Sequence, residues 1–545
     1  MKINDSDMIP YSDVLRNTSI ADFYANKSIL ITGATGFMGK VLLETLLRKC
    51  GGITCIYIIV RMKRGVDPKQ RYNEFIEDIV FDNIRQATPE RLEKIKLITG
   101  DILIDNLGIN EKDTIELIEN VNIIFHCAAK AKFSLTLRDA LSHNLHATWR
   151  VLQLAEKIKN LDVFSHFSTC YCNPLEKVLE ERYYKPCEDP FKVIRALMSP
   201  NEKDLDDLYP ILMRGMPNTY AISKLLTEEL VHIYRDRIKF VVTRPAVVIS
   251  AWREPFIGYV DNKKNGLIGP MMARASGALR TVLSNPDKLI ELIPVDIATN
   301  AIIAITCKRG LIEGSDILYC NIIDSYTYPW TFKKYFDLEM ETFKQFPLRN
   351  QLWWPYCVIT GSRFYYNFRR VYHHYLPAAV GDLASFIFRR KPQLIFFQRK
   401  FDRGMHTLGY YNTREYFYKN EQFMNLPNEL NEKDRELFYC DFKRLNMEEV
   451  LRNYVLGVRK FILKINDTDS LQLRRGILTL FWHVDLLART VITIVNLAIL
   501  FVILFFFYDK DMLFEFLSNI FETLKFLFSN NLVLSKNVIE KCSQS

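Results

Sequence analysis

Histidine is scarce and cysteine is unorganised in this chain of 545 residues, which carries nine histidines and eleven cysteines. The cysteine number is odd, and Cys170 and Cys172 stand one residue apart with no second pair at zinc spacing. A disulfide framework and a zinc module are both excluded as organising principles, and free thiols in a reducing compartment are expected. His373 and His374 have no His, Asp or Glu cluster beside them, so packing or hydrogen bonding is expected there and no metal site. A one-signed charge stripe is also missing. Lys+Arg number 72 against 63 Asp+Glu, and the net +9 is spread along the chain. That argues against nucleic acid and suits work near anionic lipid or on a polyanionic substrate. The start, MKINDSDMIPYSDV, is polar and acidic and lacks the order of a cleaved signal. Internal repeats and low-complexity linkers are absent. What remains is largely globular, 49% apolar and 25% charged, and at roughly 150 residues per domain it is long enough for several units.

Residues 1–26 read as a mobile arm. From Lys27, short β-rich runs alternate with amphipathic stretches. The strand candidates are Ser28 to Ile31, Cys55 to Val60, Lys96 to Thr99, Ile123 to Cys127, Val163 to Ser168 and Phe240 to Thr243. Helical patterns lie between them, as at Lys40 to Lys49 and Ala147 to Lys157. Little alternation within the runs points to strands buried on both faces. The expected fold over 27–325 is therefore α/β, a Rossmann-like doubly wound parallel sheet. Residues 326–465 turn aromatic, basic and helical and are expected to form a second, mainly helical domain, with the aromatic stripe of 353–372 mostly in its core. In the tail, 466–545, Val491 to Tyr508 carries no charge. As a helix it would reach ~27 Å, close to the thickness of a bilayer's hydrocarbon. It is read as a membrane span, and the amphipathic Met512 to Phe528 as an interfacial segment or the return arm of a hairpin.

Chemistry enters with Thr32-Gly33-Ala34-Thr35-Gly36-Phe37-Met38-Gly39, which follows the first strand and opens the first helix. In that context Gly33 allows a tight turn, Gly36 lets backbone approach a pyrophosphate, and Gly39 lets helix pack on strand. The second strand ends at Arg61-Met62-Lys63-Arg64 where a carboxylate would select a free ribose 2′-hydroxyl. A guanidinium pairs instead with a 2′-phosphate, so NADPH is expected, with Arg61 as its principal contact. Tyr220 and Lys224 are four residues apart and share a helical face. An ammonium there is expected to lower the tyrosine pKa and to hold the nicotinamide ribose. A hydroxyl at the end of the fifth strand, Thr169 with Ser168 in reserve, can donate to an oxygen that becomes anionic as hydride arrives. Adjacent residues point to opposite faces, so only one of the two should meet substrate.

Loop, hydroxyl and Tyr/Lys pair together resemble the extended short-chain dehydrogenase/reductases. Further segments bring a closer resemblance to the eukaryotic fatty acyl-CoA reductases. These are Arg244-Pro245-Ala246-Val247-Val248, Ala251-Trp252-Arg253-Glu254-Pro255 with Asp261-Asn262, and Ile293-Pro294-Val295-Asp296-Ile297-Ala298. His373-His374-Tyr375-Leu376-Pro377, Thr413-Arg414-Glu415-Tyr416 and Leu451 to Lys464 continue it. Ala246, the segment Ser276 to Arg280, Cys170 and Cys172 depart from the family's pattern. The resemblance implies that Asp101 and Ile102 line the adenine and that Ala128, Ala129, Lys130, Asn144 and Pro245 lie along the cofactor. It implies reduction of long-chain acyl-CoA by NADPH to an alcohol, through an aldehyde, with Tyr220 and Thr169 at the oxyanion. Membrane lipid is an expected partner, a homodimer stays open, and no nucleic acid is expected. Anchorage in the endoplasmic reticulum, catalytic domains facing the cytosol, is favoured over the peroxisomal membrane. A related reductase or isomerase acting on sterols or nucleotide sugars, or a non-catalytic lipid-binding protein of the same fold, are the alternatives. The Arg61→Ala protein is expected to show a raised KM for NADPH in steady-state assays; an unchanged KM would remove Arg61 from the site.

Overall fold

The structure, a computed structural model, describes residues 14–261, 267–465 except 325, 328 and 350, and 471–507. The chain divides into two compact units, residues 1–474 and 475–545.

The first unit is built on a parallel sheet of seven strands. They are β1 (Ser28–Thr32), β2 (Cys55–Val60), β3 (Ile95–Thr99), β4 (Val121–His126), β5 (Val163–Phe167), β6 (Phe240–Pro245) and β7 (Leu318–Ile322). Their order across the sheet is β7-β6-β5-β4-β1-β2-β3. Branched and aromatic residues sit in register from strand to strand, as in Ile29 with Ile56 and Ile123, and Phe164 with Phe240. All five residues of β1 and of β5 are buried, as expected where helices cover both faces. The main helices here are α1 (Phe37–Lys49), α2 (Ala147–Ala155), α3 (Thr219–Ile233) and α4 (Val295–Leu311). Because the chain reverses direction across the sheet between β1 and β4, a crevice opens at the carboxyl ends of those strands, where such folds bind ligands.

Three features differ from the sequence reading. The sheet has a seventh strand: Leu318–Ile322 pairs with β6 from Val241 to Pro245. Its Asn321 is tolerated in the interior because its amide donates to the carbonyls of Leu179 and Lys419, at 3.1 and 2.7 Å. Secondly, residues 14–26 are no loose arm. Leu15, Ile20 and Tyr24 are fully buried, and the Tyr24 hydroxyl donates to the Ile303 carbonyl in α4 at 2.9 Å. The buried area of two aromatic rings, Phe23 and Tyr24, holds this segment down. Thirdly, the aromatic stretch is not mostly core. Helical segments Arg363–Arg370, Val371–Tyr375 and Leu376–Ile387 run on as one rod. Arg369, His374 and Ala378 take its inward face, which leaves Phe364 and Phe368 outside at 84% and 53% exposure.

The helical part continues with α5 (Phe332–Gln345), α6 (Leu394–Asn412) and α7 (Met447–Gly457). Its junction with the sheet rests on Asp296. That carboxylate accepts from the amides of Trp252, Arg253 and Glu254 at 2.9, 2.8 and 3.2 Å and from the Tyr439 hydroxyl at 2.8 Å. Two of the family-like segments thus form one clamp. The ten cysteines among the described residues are all unpaired.

In the second unit, most of one long helix is described, α8 (Leu471–Phe507). Its stretch Leu471–Ile499, with mean hydropathy 1.5, is long and apolar enough to cross a membrane. The span read from the sequence overlaps the end of this helix; its last residue, Tyr508, and the whole of Met512 to Phe528 lie outside the described residues.

A methyl group at Gly39 would stand 2.3 Å from the Gly33 carbonyl oxygen and 2.8 Å from the Ala34 Cα. Both are backbone atoms that cannot swing aside. Gly39→Ala is expected to lower stability by about 1–3 kcal/mol, read as a fall in Tm on thermal denaturation. An unchanged Tm would contradict the packing described.

Candidate active site

The glycine loop leaves β1 and turns into α1 at the crevice. Gly33 has φ +75°, and a Cβ there would lie 2.7 Å from the Ala128 amide nitrogen at the end of β4. Only glycine fits that approach. Gly36 caps α1 without a side-chain bond, so the amides at Phe37, Met38 and Gly39 start the helix with no intrahelical acceptor. Thr35 and Met38 are half-buried beside it, and Phe37 packs on Tyr259. A cradle that a side chain would fill, with free amides at the positive end of a 13-residue helix, fits a dinucleotide pyrophosphate.

A buried chain of hydrogen bonds ties this loop to α3. Its polarity follows from one end. Thr148 donates to the Asn144 carbonyl at 2.6 Å, so its oxygen accepts from His126 Nε2, at 2.9 Å. His126 Nδ1 must then accept from the Thr32 hydroxyl, at 2.7 Å. Burial pushes the His126 pKa down to about 3, so the ring is neutral. Asn144 continues the chain: its Nδ2 donates to Ser223 at 2.8 Å, and its Oδ1 accepts from the Lys130 amide at 2.8 Å. Ser223 donates to the Tyr220 carbonyl at 2.7 Å.

Tyr220, Lys224 and Thr169 come together where β5 ends beside α3. The Thr169 oxygen accepts from the Tyr171 amide at 3.3 Å, and its side chain lies close enough to the Tyr220 hydroxyl to pull that pKa down. Ser168 turns the other way and donates to Glu228, which is locked in a fully buried pair with Arg244 at 2.6 Å. Lys224 Nζ donates to the Phe167 carbonyl at 2.5 Å. Burial brings its pKa down to about 8 against the opposing pull of Glu228. The expectation that this ammonium lowers the Tyr220 pKa is not met. Burial raises Tyr220, and the neighbouring Thr169 hydroxyl works against the rise. The phenol therefore keeps its proton at neutral pH.

At the end of β2, Arg61 is half-exposed and reaches Asp101 at 3.1 Å. Asp101 is held in turn, its other oxygen accepting from the Leu103 amide at 3.1 Å and its own amide donating to Leu107 at 2.7 Å. Ile102 is half-buried next to it, Ala128 is half-buried, Ala129 is exposed, and Pro245 closes β6 with its carbonyl on the Cys170 amide at 3.1 Å.

Beyond Tyr220 lies an apolar chamber that no sequence pattern marked. Phe133, Tyr171, Ile290, Leu292, Phe332, Met405, Leu408 and Tyr411 line it. The Phe133 ring packs on Tyr220 at 5.8 Å and on Tyr411 at 5.3 Å between centroids. Tyr411, from α6, accepts from Asn218 Nδ2 at 2.9 Å, and Asn218 caps α3 by accepting from the Ala221 amide at 2.9 Å. A readable signal existed for Asn218, an N-cap residue just before the Tyr220 helix; for Tyr411, brought in from 191 residues away, there was none. Lys288 and Glu291 form a buried pair at 3.1 Å in the chamber wall, and Tyr171 donates to Glu291 at 2.9 Å.

Residues 31–302 match an NAD-binding family model described as Male sterility protein, and 373–465 match a second model of the same description. Fatty acyl-CoA reductase 1 of Xenopus laevis and that of Homo sapiens are each 34% identical over 445 residues, covering 82% of this chain and 86% of theirs. The chain belongs to the fatty acyl-CoA reductase family. Fatty acyl-CoA reductase 2 of Homo sapiens is also 34% identical, over 82% of this chain and 87% of its own. Among solved structures, a reductase domain of a non-ribosomal peptide synthetase from Mycobacterium tuberculosis superposes with TM-score 0.54 at 16% identity, covering 85% of this chain and 99% of that one. The terminal R domain of the myxalamid pathway gives 0.51 at 18% identity over 80% and 91%. These two share the fold. As a fatty acyl-CoA reductase family member with an NAD-binding domain, the chain is an oxidoreductase that uses a nicotinamide cofactor.

Lys224 yields a pH prediction. In the unfolded chain it stays protonated up to 10.5, and in the fold only to about 8. Between these values the folded state binds fewer protons, so stability gains with rising pH there, and the full cost of burying the ammonium is present below pH 8. Lys224→Met removes the group. The Tm of this variant minus that of wild type is expected to fall as pH rises from 8 to 10.5; a difference flat across that window would contradict the shift.

Proposed function

We propose that the protein reduces long-chain fatty acyl-CoA to fatty alcohol with NADPH and releases CoA. The observation that carries this reading is the closeness of two hydroxyls, Thr169 and Tyr220, with Tyr220 packed on Phe133, which lines an apolar chamber. The glycine loop would hold the pyrophosphate, Arg61 a 2′-phosphate, Asp101 and Ile102 the adenine side, and Lys224 the nicotinamide ribose. Ala128, Ala129, Lys130, Asn144 and Pro245 would line the remainder. Bound there, a reduced nicotinamide supplies hydride.

The chain's own groups do the rest. Thr169 and Tyr220 donate to the thioester carbonyl oxygen and stabilise it as negative charge develops. The tetrahedral hemithioacetal collapses, its C–S bond breaks, and CoA leaves as thiolate with an aldehyde left in place. In a second reduction Tyr220 gives its proton to the alkoxide oxygen. A phenol whose pKa burial has raised is suited to that role: it arrives protonated, and loses its proton only to a strongly basic oxygen. The chamber would take the acyl chain, with Phe133 and Tyr411 between chain and carbonyl. The helix α8 would anchor the protein, and NADPH, acyl-CoA and the free thiols favour catalytic parts facing the cytosol, in our reading at the endoplasmic reticulum.

The test is a panel of acyl-CoA chain lengths given with NADPH to membranes holding wild type or Tyr220→Phe. Wild type should consume NADPH with long chains and Tyr220→Phe should lose most of kcat with little change in KM. Equal activity in both would end the proposed chemistry.

A further inference from the structure

The rod from Arg363 to Ile387 and the helix α6 form a hairpin on the first unit. The two arms touch closely: a Cβ at Gly381 would come within 2.5 Å of Leu394 Cδ1. Asp382 seals the turn by accepting from the amides of Gln393, Leu394 and Ile395 at 2.8, 2.8 and 3.0 Å.

The outward face of this hairpin is mainly apolar, with Asn367 as a polar exception beside Phe364 and Phe368. Phe364, Phe368, Val371, Leu376, Val380, Leu383 and Ile387 are all exposed. Their steps of three and four residues follow a helix, except for the five from Val371 to Leu376. That wide step falls on the π turn, Val371–Tyr375, whose extra residue keeps the row in line. At the tip, Phe386, Ile387 and Phe388 are 71%, 66% and 75% exposed, and on the other arm Phe396 and Phe397 are 61% and 54% exposed. An exposed row of this length and aromatic content is far from an ordinary soluble surface.

Charge decides what covers it. From 361 to 400 the chain has eight Lys and Arg residues and a single acid, Asp382, which the turn amides already occupy. Arg389, Arg390 and Lys391 at the tip and Arg399 and Lys400 on α6 are exposed around the apolar row. Apolar residues set deep with basic ones at their rim match the layering of a bilayer surface with anionic headgroups. The same helix α6 that carries Phe396 and Phe397 supplies Met405, Leu408 and Tyr411 to the chamber, about 13 to 22 Å further along at ~1.5 Å per residue.

We propose that this hairpin is a second membrane contact, independent of α8, in which Phe386–Phe388 and Phe396–Phe397 enter the acyl layer of an anionic leaflet while the tip cations hold headgroup phosphates. The contact would set one end of α6 in lipid and the other at the chamber. It does not depend on which substrate the chamber accepts.

The experiment uses the full chain in vesicles of phosphatidylcholine with phosphatidylserine. Benzoylphenylalanine is placed at 386 or at 388, and, as control, at Ile115, which is also exposed, on the part that carries the glycine loop. After irradiation, adducts are mapped by mass spectrometry. Phospholipid adducts at 386 and 388, several-fold above 115, are expected, and reversing Arg389, Arg390 and Lys391 to Glu should reduce them and abolish their dependence on phosphatidylserine. Lipid labelling no greater than at 115, or adducts mainly to residues 471–507 or to a second copy of the chain, would overturn the proposal.

Discussion

A buried hydrogen-bonded chain from Thr32 through His126, Thr148, Asn144 and Ser223 to the Tyr220 carbonyl binds the two halves of the site into one object. Thr32 ends the strand that feeds the glycine loop, and Tyr220 lies in the first turn of α3. Each group donates to the next acceptor only if His126 is neutral and carries its proton on Nε2, a state that burial enforces. Losing one link would leave a buried polar group unpaired at about 1–3 kcal/mol, and would loosen the distance between the glycine loop and Tyr220.

The buried charges serve that same placement. Glu228 takes both Ser168 and Arg244, which turns the Ser168 hydroxyl away and leaves Thr169 as the one that faces Tyr220. Lys224 is fixed on the Phe167 carbonyl, one residue before that pair. From the other side, Tyr411 holds the Asn218 cap of α3 and stacks on Phe133. The helical part therefore does more than cover the sheet: it shapes the chamber and steadies the helix that carries Tyr220.

The legible features were those that local chemistry dictates. A strand, a glycine loop and a helix in sequence report their own backbone needs, and a four-residue spacing reports a shared face. The six strands that could be read are rich in β-branched or aromatic residues. Leu318–Ile322, with Cys and Asn in its middle, becomes a strand because β6 and the carbonyls around Asn321 accept it, and nothing local says so. The segment around Tyr24 reads as an arm because its partner, Ile303, is 279 residues away. The aromatic stripe of 353–372 reads as core because nothing local reports that Phe364 and Phe368 stay exposed. Direction was also hidden for Tyr220: a neighbouring lysine suggests a lowered pKa, whereas burial raises it.

The central claim is that one site, supplied from the glycine loop and served by Tyr220, carries both reductions. It is tested most directly by mass analysis of the product from palmitoyl-CoA and NADPH bearing deuterium at both C4 positions. The account predicts hexadecanol with two deuterium atoms on C1. An aldehyde with one deuterium as the end product, or a product with none, would contradict it.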